Sequence, residues 1–283
     1  MGKVGIVCDS TCDMGPEWLA ANDVVMVPLR VLFDEDSFLD WVDFTPPTFF
    51  EKLASASSLP KTSQPSPADF AAVYADLAEQ GCDEVVSIHL TAALSGTFES
   101  ATLAAKNSPI PVRVVDTLTV SAGEALVIFA ALEARTAGGG AAEIEKAARD
   151  VVESSKLLFA LDTLDYLVKG GRAGKAQGLA ASLLNIKPVL TFNNEGTIEP
   201  YKKVKGTKKA IAEIAQSVAD ASEGRVMKVA MLHSMAPELV ADLRAELDRL
   251  GAKYEVVCTA SVGAVIGTYA GPGAVGAAFC PAW

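Results

Sequence analysis

The chain has 283 residues, half of them hydrophobic, and a formal net charge of −11. That length makes one large domain or two ordinary ones, with enough apolar residues for a core that needs no metal or disulfide staples. The acidic balance argues against nucleic acid as the main partner, and no apolar run reaches the roughly 18 residues of a transmembrane helix.

Val4 to Cys8 reads as a short buried strand, followed by Asp9-Ser10-Thr11 and a helix from Pro16 to about Asn22. Val24 to Phe33 reads as a second strand-like run with Pro28 near an edge or strand end. Thr45-Pro46-Pro47 starts a helix whose apolar face is Phe49, Phe50 and Leu53. Residues 55–66 read as a loop, long enough to suspect function. The next helix has Ser66 as N-cap, Pro67 at its first position and Asp69 at its third, and Gly81 ends it. A strand from Glu84 to Leu90 delivers Leu94-Ser95-Gly96-Thr97 to a further helix, and Val112 to Val115 is a strand ending in Asp116. A long helix is expected from Thr119 to about Arg135. This alternation implies a parallel sheet with helices on both faces, whose C-terminal edge would gather Asp9, Ser95 and Asp116.

From about Ala141 the pattern changes. A helix (142–154) and a strand (156–161) precede Lys169-Gly170-Gly171-Arg172, an abrupt helix stop. An apolar helix is expected over 174–184, then a strand from Pro188 to Phe192, a turn at Asn193-Asn194-Glu195-Gly196 and a returning strand from Ile198 to Val204. Two helix–strand units follow, over 208–232 and 237–259. The hairpin points to a mixed or antiparallel sheet in this half.

The five cysteines, Cys8, Cys12, Cys82, Cys258 and Cys280, form no C-x-x-C pair, and no secretory signal precedes them. The expectation is reduced, mostly buried thiols in a cytoplasmic protein. Gly271-Pro272-Gly273-Ala274-Val275-Gly276 matches G-x-G-x-x-G, but too few residues follow for a βαβ unit and its acidic ribose ligand. There is no G-x-S-x-G elbow and no H-E-x-x-H. His89, in an apolar strand, reads as a satisfied core or edge histidine, so no zinc site is expected. Asp9 reads as a carboxylate accepting backbone N–H groups in a turn.

Two hydroxyl-rich stretches remain, Pro60-Lys61-Thr62-Ser63-Gln64-Pro65 and Leu94-Ser95-Gly96-Thr97. Each precedes a helix-like run. Ordinary helix caps would account for either one alone. Helix-start amides also lack internal partners and carry partial positive charge, so the two stretches together suit an anion. With no nucleophile–base pair and many apolar residues, the pattern suggests holding an amphipathic anion rather than transforming it.

Asp9-Ser10-Thr11, Val27-Pro28-Leu29, Lys61-Thr62-Ser63-Gln64-Pro65, Leu94-Ser95-Gly96-Thr97, Lys169-Gly170-Gly171-Arg172, Ile186-Lys187-Pro188 and Gly271-Pro272-Gly273-Ala274 occur in an order that resembles DegV proteins along essentially the whole chain. The resemblance implies two α/β domains with a lipid-filled crevice between them. The first, residues 1–150, would hold the parallel sheet. The second, residues 151–283, would hold the mixed or antiparallel sheet, with segment 45–65 a candidate to pack against it. It implies fatty-acid binding without a cofactor or metal, and presentation of the bound acid to a separate fatty acid kinase subunit that makes the acyl phosphate.

By position, Thr62 and Ser95 resemble the family's hydroxyl ligands of the carboxylate, with Ser63, Gly96 and Thr97 in support. Where the family often has histidine this chain has Tyr269, and a phenol donates a hydrogen bond but carries no charge near neutral pH. Candidate tail-lining residues are Phe159, Leu164, Leu167, Leu183, Leu184, Ile186 and Leu190, for which plain core packing is the alternative. Lys169, Arg172 and Lys175 form a basic patch that reads either as a solvated helix end or as a docking surface for the kinase; transient contact with a membrane surface stays open. Competing readings are a small-molecule hydrolase or phosphotransferase using Asp9 and Asp116, and a lipid-sensing regulatory module.

Overall fold

A computed structural model describes residues 2–182 and 187–283. The first strand, β1 (Val4–Asp9), is buried along its whole length. It runs into a short 3-10 turn, Ser10–Cys12, with Asp9 accepting the Thr11 amide as its cap. Helix α1 (Pro16–Ala21) returns to β2 (Val24–Val27), parallel to β1.

The expected strand from Val24 to Phe33 is two strands in two sheets. Pro28 has no N–H for a ladder, and the Leu29 amide donates instead to Ser10 Oγ at 3.1 Å. The chain then makes β3 (Arg30–Phe33) and β4 (Asp36–Leu39), followed by α2 (Pro46–Ser55) and β5 (Lys61–Ser63). Strand β3 pairs antiparallel with both β4 and β5, so the segment expected as loop carries a strand with Thr62 opposite Val31.

Helix α3 (Pro67–Glu79) starts as expected, with Ser66 and Asp69 exchanging side-chain-to-amide bonds. This capping box satisfies two otherwise orphaned N–H groups. Strand β6 (Glu84–His89), α4 (Thr97–Ala105), β7 (Val112–Asp116) and α5 (Ala122–Thr136) follow, completing a parallel sheet of order β2-β1-β6-β7. Helix α5 begins three residues later than expected because Leu118 and Ser121 have positive φ. The Ser121 amide is tied to the Thr11 carbonyl. Alternation along β1 sends Val7 to the face covered by α3 and α4, and Ile6 and Cys8 to the face covered by α5.

Helix α6 (Ala141–Ser154) and β8 (Lys156–Ala160) lead to α7 (Asp165–Lys169). The apolar helix expected over 174–184 is instead a 3-10 stretch over Gly174–Ser182. Gly174 enters it at φ +50° with the Ile198 carbonyl packed against its Cα, a backbone only glycine takes easily. Strands β9 (Lys187–Phe192) and β10 (Ile198–Val204) form the expected hairpin. Then come α8 (Thr207–Ser222), β11 (Met227–His233), α9 (Pro237–Arg249), β12 (Tyr254–Ser261), α10 (Ala264–Ala270) and β13 (Val275–Pro281).

The second sheet is mixed, in the order β10-β9-β8-β13-β11-β12. Its centre is β13, antiparallel to both neighbours. A side chain at Gly276 would sit 2.7 Å from the Leu158 carbonyl oxygen, so the glycines of the rejected nucleotide fingerprint serve close strand packing and turns.

Helix α5 lies between the sheets, touching β1 and β6 on one side and β11, β12 and β13 on the other. On β8, Leu157 and Phe159 share one cluster with α5, while Leu158 and Ala160 face α8 and α9. Helix α10 packs on α2 and β5, against an aromatic cluster that includes Phe33, Phe44, Phe49 and Phe50. The space between the two sheets and this aromatic unit is the cavity described next.

Candidate functional site

Thr62 points off β5 toward α10, where its Oγ1 lies 2.5 Å from Tyr269 Oη. Helix α10 is held at its start by two buried carboxylates. Asp13 Oδ1 accepts the Gly263 amide and Asp40 Oδ1 accepts the Ala264 amide, both at 2.8 Å. The Tyr269 ring rests on Gly170, where a Cβ would fall 2.4 Å from the ring. The Arg172 guanidinium sits 5.1 Å from the ring centroid on its way to the Gly170 and Leu94 carbonyls. Such a placement is a cation–π contact.

Ser95 lies just before α4 and its Oγ is 2.9 Å from Thr97 Oγ1. The loop bearing Ser95 meets the segment after β5 at Gly96, whose missing side chain leaves room for Gln64. Thr62, Gln64, Ser95, Arg172 and Tyr269 therefore border a single cavity, with about 850 Å³ of empty space, open solvent included. The rest of its wall is almost wholly apolar. Gln64 is exposed and the other four polar residues are half-buried, so the polar end is the mouth.

Of the expected carboxylate ligands, Thr62, Ser95 and Tyr269 border the cavity; Ser63, Gly96 and Thr97 do not. Thr97 is buried behind Ser95, and Ser63 Oγ donates to the Gln64 carbonyl. Of the expected tail residues, Phe159 and Leu167 are in the wall. Leu164 and Leu190 are buried in the same core without reaching it. Leu183, Leu184 and Ile186 lie outside the described residues. Leu157, Leu161 and Phe192 were not anticipated as wall. Leu157, Phe159 and Leu161 follow the two-residue period of a strand, a signal hidden by the continuous apolar run from 157 to 161.

The basic patch divides. Lys169 and Lys175 are exposed, and Lys175 pairs with Glu199 at 3.0 Å. Arg172 instead turns inward onto Tyr269 and the cavity, because the tight Gly170-Gly171 turn reverses the chain there.

Asp9 and Asp116 serve the backbone. Asp9 accepts the Thr11 and Leu90 amides, and Asp116 accepts those of Ala92 and Leu118. His89 Nδ1 is 3.1 Å from Asp9 Oδ2 and its Nε2 is 2.7 Å from Ser87 Oγ, which resembles a nucleophile relay. Yet Ser87 and His89 are fully buried, and Ser87 Oγ is also bound to Tyr74 Oη. A nucleophile must meet its substrate, and neither residue borders the cavity.

Three further carboxyls lie close by. Burial holds Glu124 and Asp13 well above the usual carboxylate range, and burial raises Asp40 to about 7. Among the described residues, no group of three or more His, Cys, Asp or Glu could hold a metal ion. No described helix is long and apolar enough to cross a membrane. The cysteines are free thiols, four of them buried.

Residues 3–282 match the family described as "Uncharacterised protein, DegV family". The chain belongs to the DegV family. It is 40% identical to a DegV domain-containing protein of Deinococcus radiodurans, over 99% of both chains. It is 38% identical to a protein of Thermotoga maritima named fatty acid-binding protein, over 97% of this chain and 96% of that one. Among solved structures, it resembles a DegV family protein from Thermus thermophilus described for its fatty acid binding. The TM-score is 0.92 at 36% identity, covering 99% of this chain and 100% of that one. In this DegV chain the motif blocks converge. Asp13 follows the first and holds α10, Lys61 to Pro65 supplies Thr62, and Lys169 to Arg172 is the bed for Tyr269.

Proposed function

We propose that the cavity binds a long-chain fatty acid, with the carboxylate at Thr62 and Ser95 and the tail along the apolar wall. The observation that carries this reading is the cavity itself. Hydroxyls and a guanidinium from four distant segments meet at its mouth, and beyond them the lining is hydrocarbon apart from Ser121. A buried carboxylate needs several donors and a counter-charge, which Thr62, Ser95, Tyr269 and Arg172 can supply together. Each buried CH₂ of the tail adds about 0.8 kcal/mol before the costs of association are subtracted. The names of the Thermotoga and Thermus relatives support the same reading.

The test is a lipid inventory. Solvent extraction and mass spectrometry of the purified protein should find fatty acid, and delipidated protein should take up palmitate or oleate. A lipid-free preparation that also refuses both acids would end the proposal. Thr62→Ala with Ser95→Ala should weaken binding, each lost bond to the charged head being worth about 1.5–3 kcal/mol.

We further propose that the loaded protein presents its ligand to a fatty acid kinase catalytic subunit, with the exposed Lys169, one residue before the Gly170 bed of Tyr269, and the exposed Lys175 as docking residues. Acyl phosphate formation from ATP by such a subunit should then require the loaded protein. Lys169→Glu with Lys175→Glu should slow turnover at unchanged fatty-acid affinity.

A further inference from the structure

A second hollow of different character adjoins the apolar cavity. Its lining includes Thr117, Thr119, Glu153, Ser155, Asn193 and Asn194, and Thr119 Oγ1 is buried there without a hydrogen-bond partner. Among the described residues, only Leu157 and Phe192 border both spaces.

Their place in the sheet explains why. Leu158 pairs with Thr191 across β8 and β9, and one step further along the antiparallel ladder Leu157 and Phe192 face each other. Phe192 in turn pairs with Ile198 of β10. The Phe159 ring lies tilted against that of Phe192, with centroids 5.9 Å apart. Thr191 Oγ1 donates to the Leu157 carbonyl at 2.9 Å and fixes the strand there. At the opposite end of β8, Asp162 abuts Gly273 and Tyr166 abuts Gly271, next to Tyr269. From Leu161 to Leu157 the wall therefore leads away from the mouth, over about 13 Å at the usual rise of a strand.

We propose that Leu157 and Phe192 are the end wall of the cavity and set the longest acyl chain the protein accepts. This rests on the fatty-acid reading above. A methyl end that stops short of the pair stays among hydrocarbon. A longer one must displace Leu157 or Phe192 and enter a hollow where hydroxyls, amides, the Glu153 carboxylate and the Lys156 ammonium stand among Leu118 and Val152. Each methylene accommodated in the apolar part raises affinity about fourfold, and one pushed into the polar part gives no such gain.

The experiment measures affinity for saturated acids from lauric to behenic by displacement of a fluorescent fatty acid. Wild type, Phe192→Ala, Leu157→Ala and Leu232→Ala are compared. Leu232 lines the cavity but not the polar hollow. Wild-type affinity should climb with length and then stop climbing. Phe192→Ala and Leu157→Ala should move that limit to longer acids, with about a fourfold gain for each methylene that fits the space left by the deleted side chain and none beyond it. Leu232→Ala should lower affinity without moving it. Phe192→Leu serves if Phe192→Ala fails to fold. A wild type that binds these acids with a limit the end-wall variants leave unmoved, or with no limit, overturns this inference and leaves the fatty-acid reading intact. A wild type that binds none of the acids overturns both.

Discussion

Thr62 Oγ1 and Tyr269 Oη are 2.5 Å apart, although 207 positions separate them in the chain. One of the two must donate to the other. The hydroxyl that accepts keeps its own hydrogen free to turn toward the cavity. If Tyr269 donates, Thr62 becomes a polarised donor facing the mouth, in the position where a ligand carboxylate is proposed. The pair also ties α10 to β5, so head-group binding and the closure of this part of the wall are one structural feature.

Tyr269→Phe removes the tie and leaves the ring in place. Fatty-acid affinity is expected to fall about two- to tenfold, the usual worth of one hydrogen bond. Tyr269→His places a group that gains charge below a pH of about 6.5. Its affinity should therefore tighten as pH falls through that value, with a slope absent from Tyr269→Phe. Titration of both variants across that range checks the pair. Equal affinity of Tyr269→Phe and wild type would show that the tie plays no part in binding.

Gly170 has φ −74°, a backbone any residue adopts, so its role is steric. A methyl at this position meets Tyr269 Cδ1 at 2.4 Å and Cε1 at 2.6 Å. The ring must move, and it takes with it both the Thr62 bond and the Arg172 contact. Gly170→Ala is expected to lower affinity by more than Tyr269→Phe does, with little change in melting temperature. An affinity indistinguishable from wild type would mean that the site tolerates a displaced ring.

Phe49 is fully buried and contacts Phe33, Phe44 and Phe50. It also lies where any side chain on Gly267 of α10 would go, 2.7 Å from the missing Cβ. Phe49→Ala should cost about 3–5 kcal/mol of stability, measurable by chemical denaturation. The loss should extend to ligand affinity, because the helix carrying Tyr269 packs on the same cluster.

Much of this site was readable from residue types, and the part that was not has physical causes. Ser66 and Asp69 announce a capping box, and Asn193 to Gly196 announce a hairpin, because both signals are local. Strand β13 is central yet composed largely of small residues, Val-Gly-Ala-Ala-Phe-Cys-Pro. Its place depends on β8 approaching Gly276, a tertiary demand with no local signature. Strand β5 was missed for a similar reason, since three residues between prolines carry no period. Thr62 and Ser95 stand out as hydroxyls before helices, but Arg172, which borders the same cavity, reads in sequence as a solvated helix end or a docking surface. Only the turn at Gly170-Gly171 brings it inward.

The buried carboxyl at Asp40 makes stability depend on pH near neutrality. Burial lifts it from its ordinary value near 3.8 to about 7, and burial and the neighbouring Asp40 lift Asp13 as well. For a carboxyl raised on folding, the folded protein holds a proton that the unfolded chain would release. The resulting stabilisation is complete below the unfolded value and is lost as pH rises through the folded one. For Asp40 that window runs from about 4 to about 7, so the loss continues up to neutral pH. Denaturation midpoints of the wild type should fall as pH is raised through this range, with at most about 1.4 kcal/mol per pH unit from a single proton. Asp40→Asn resembles the protonated acid and keeps a carbonyl oxygen for the Ala264 amide, so it should hold α10 in place and flatten the slope. Identical slopes in wild type and variant would show that Asp40 carries no linked proton.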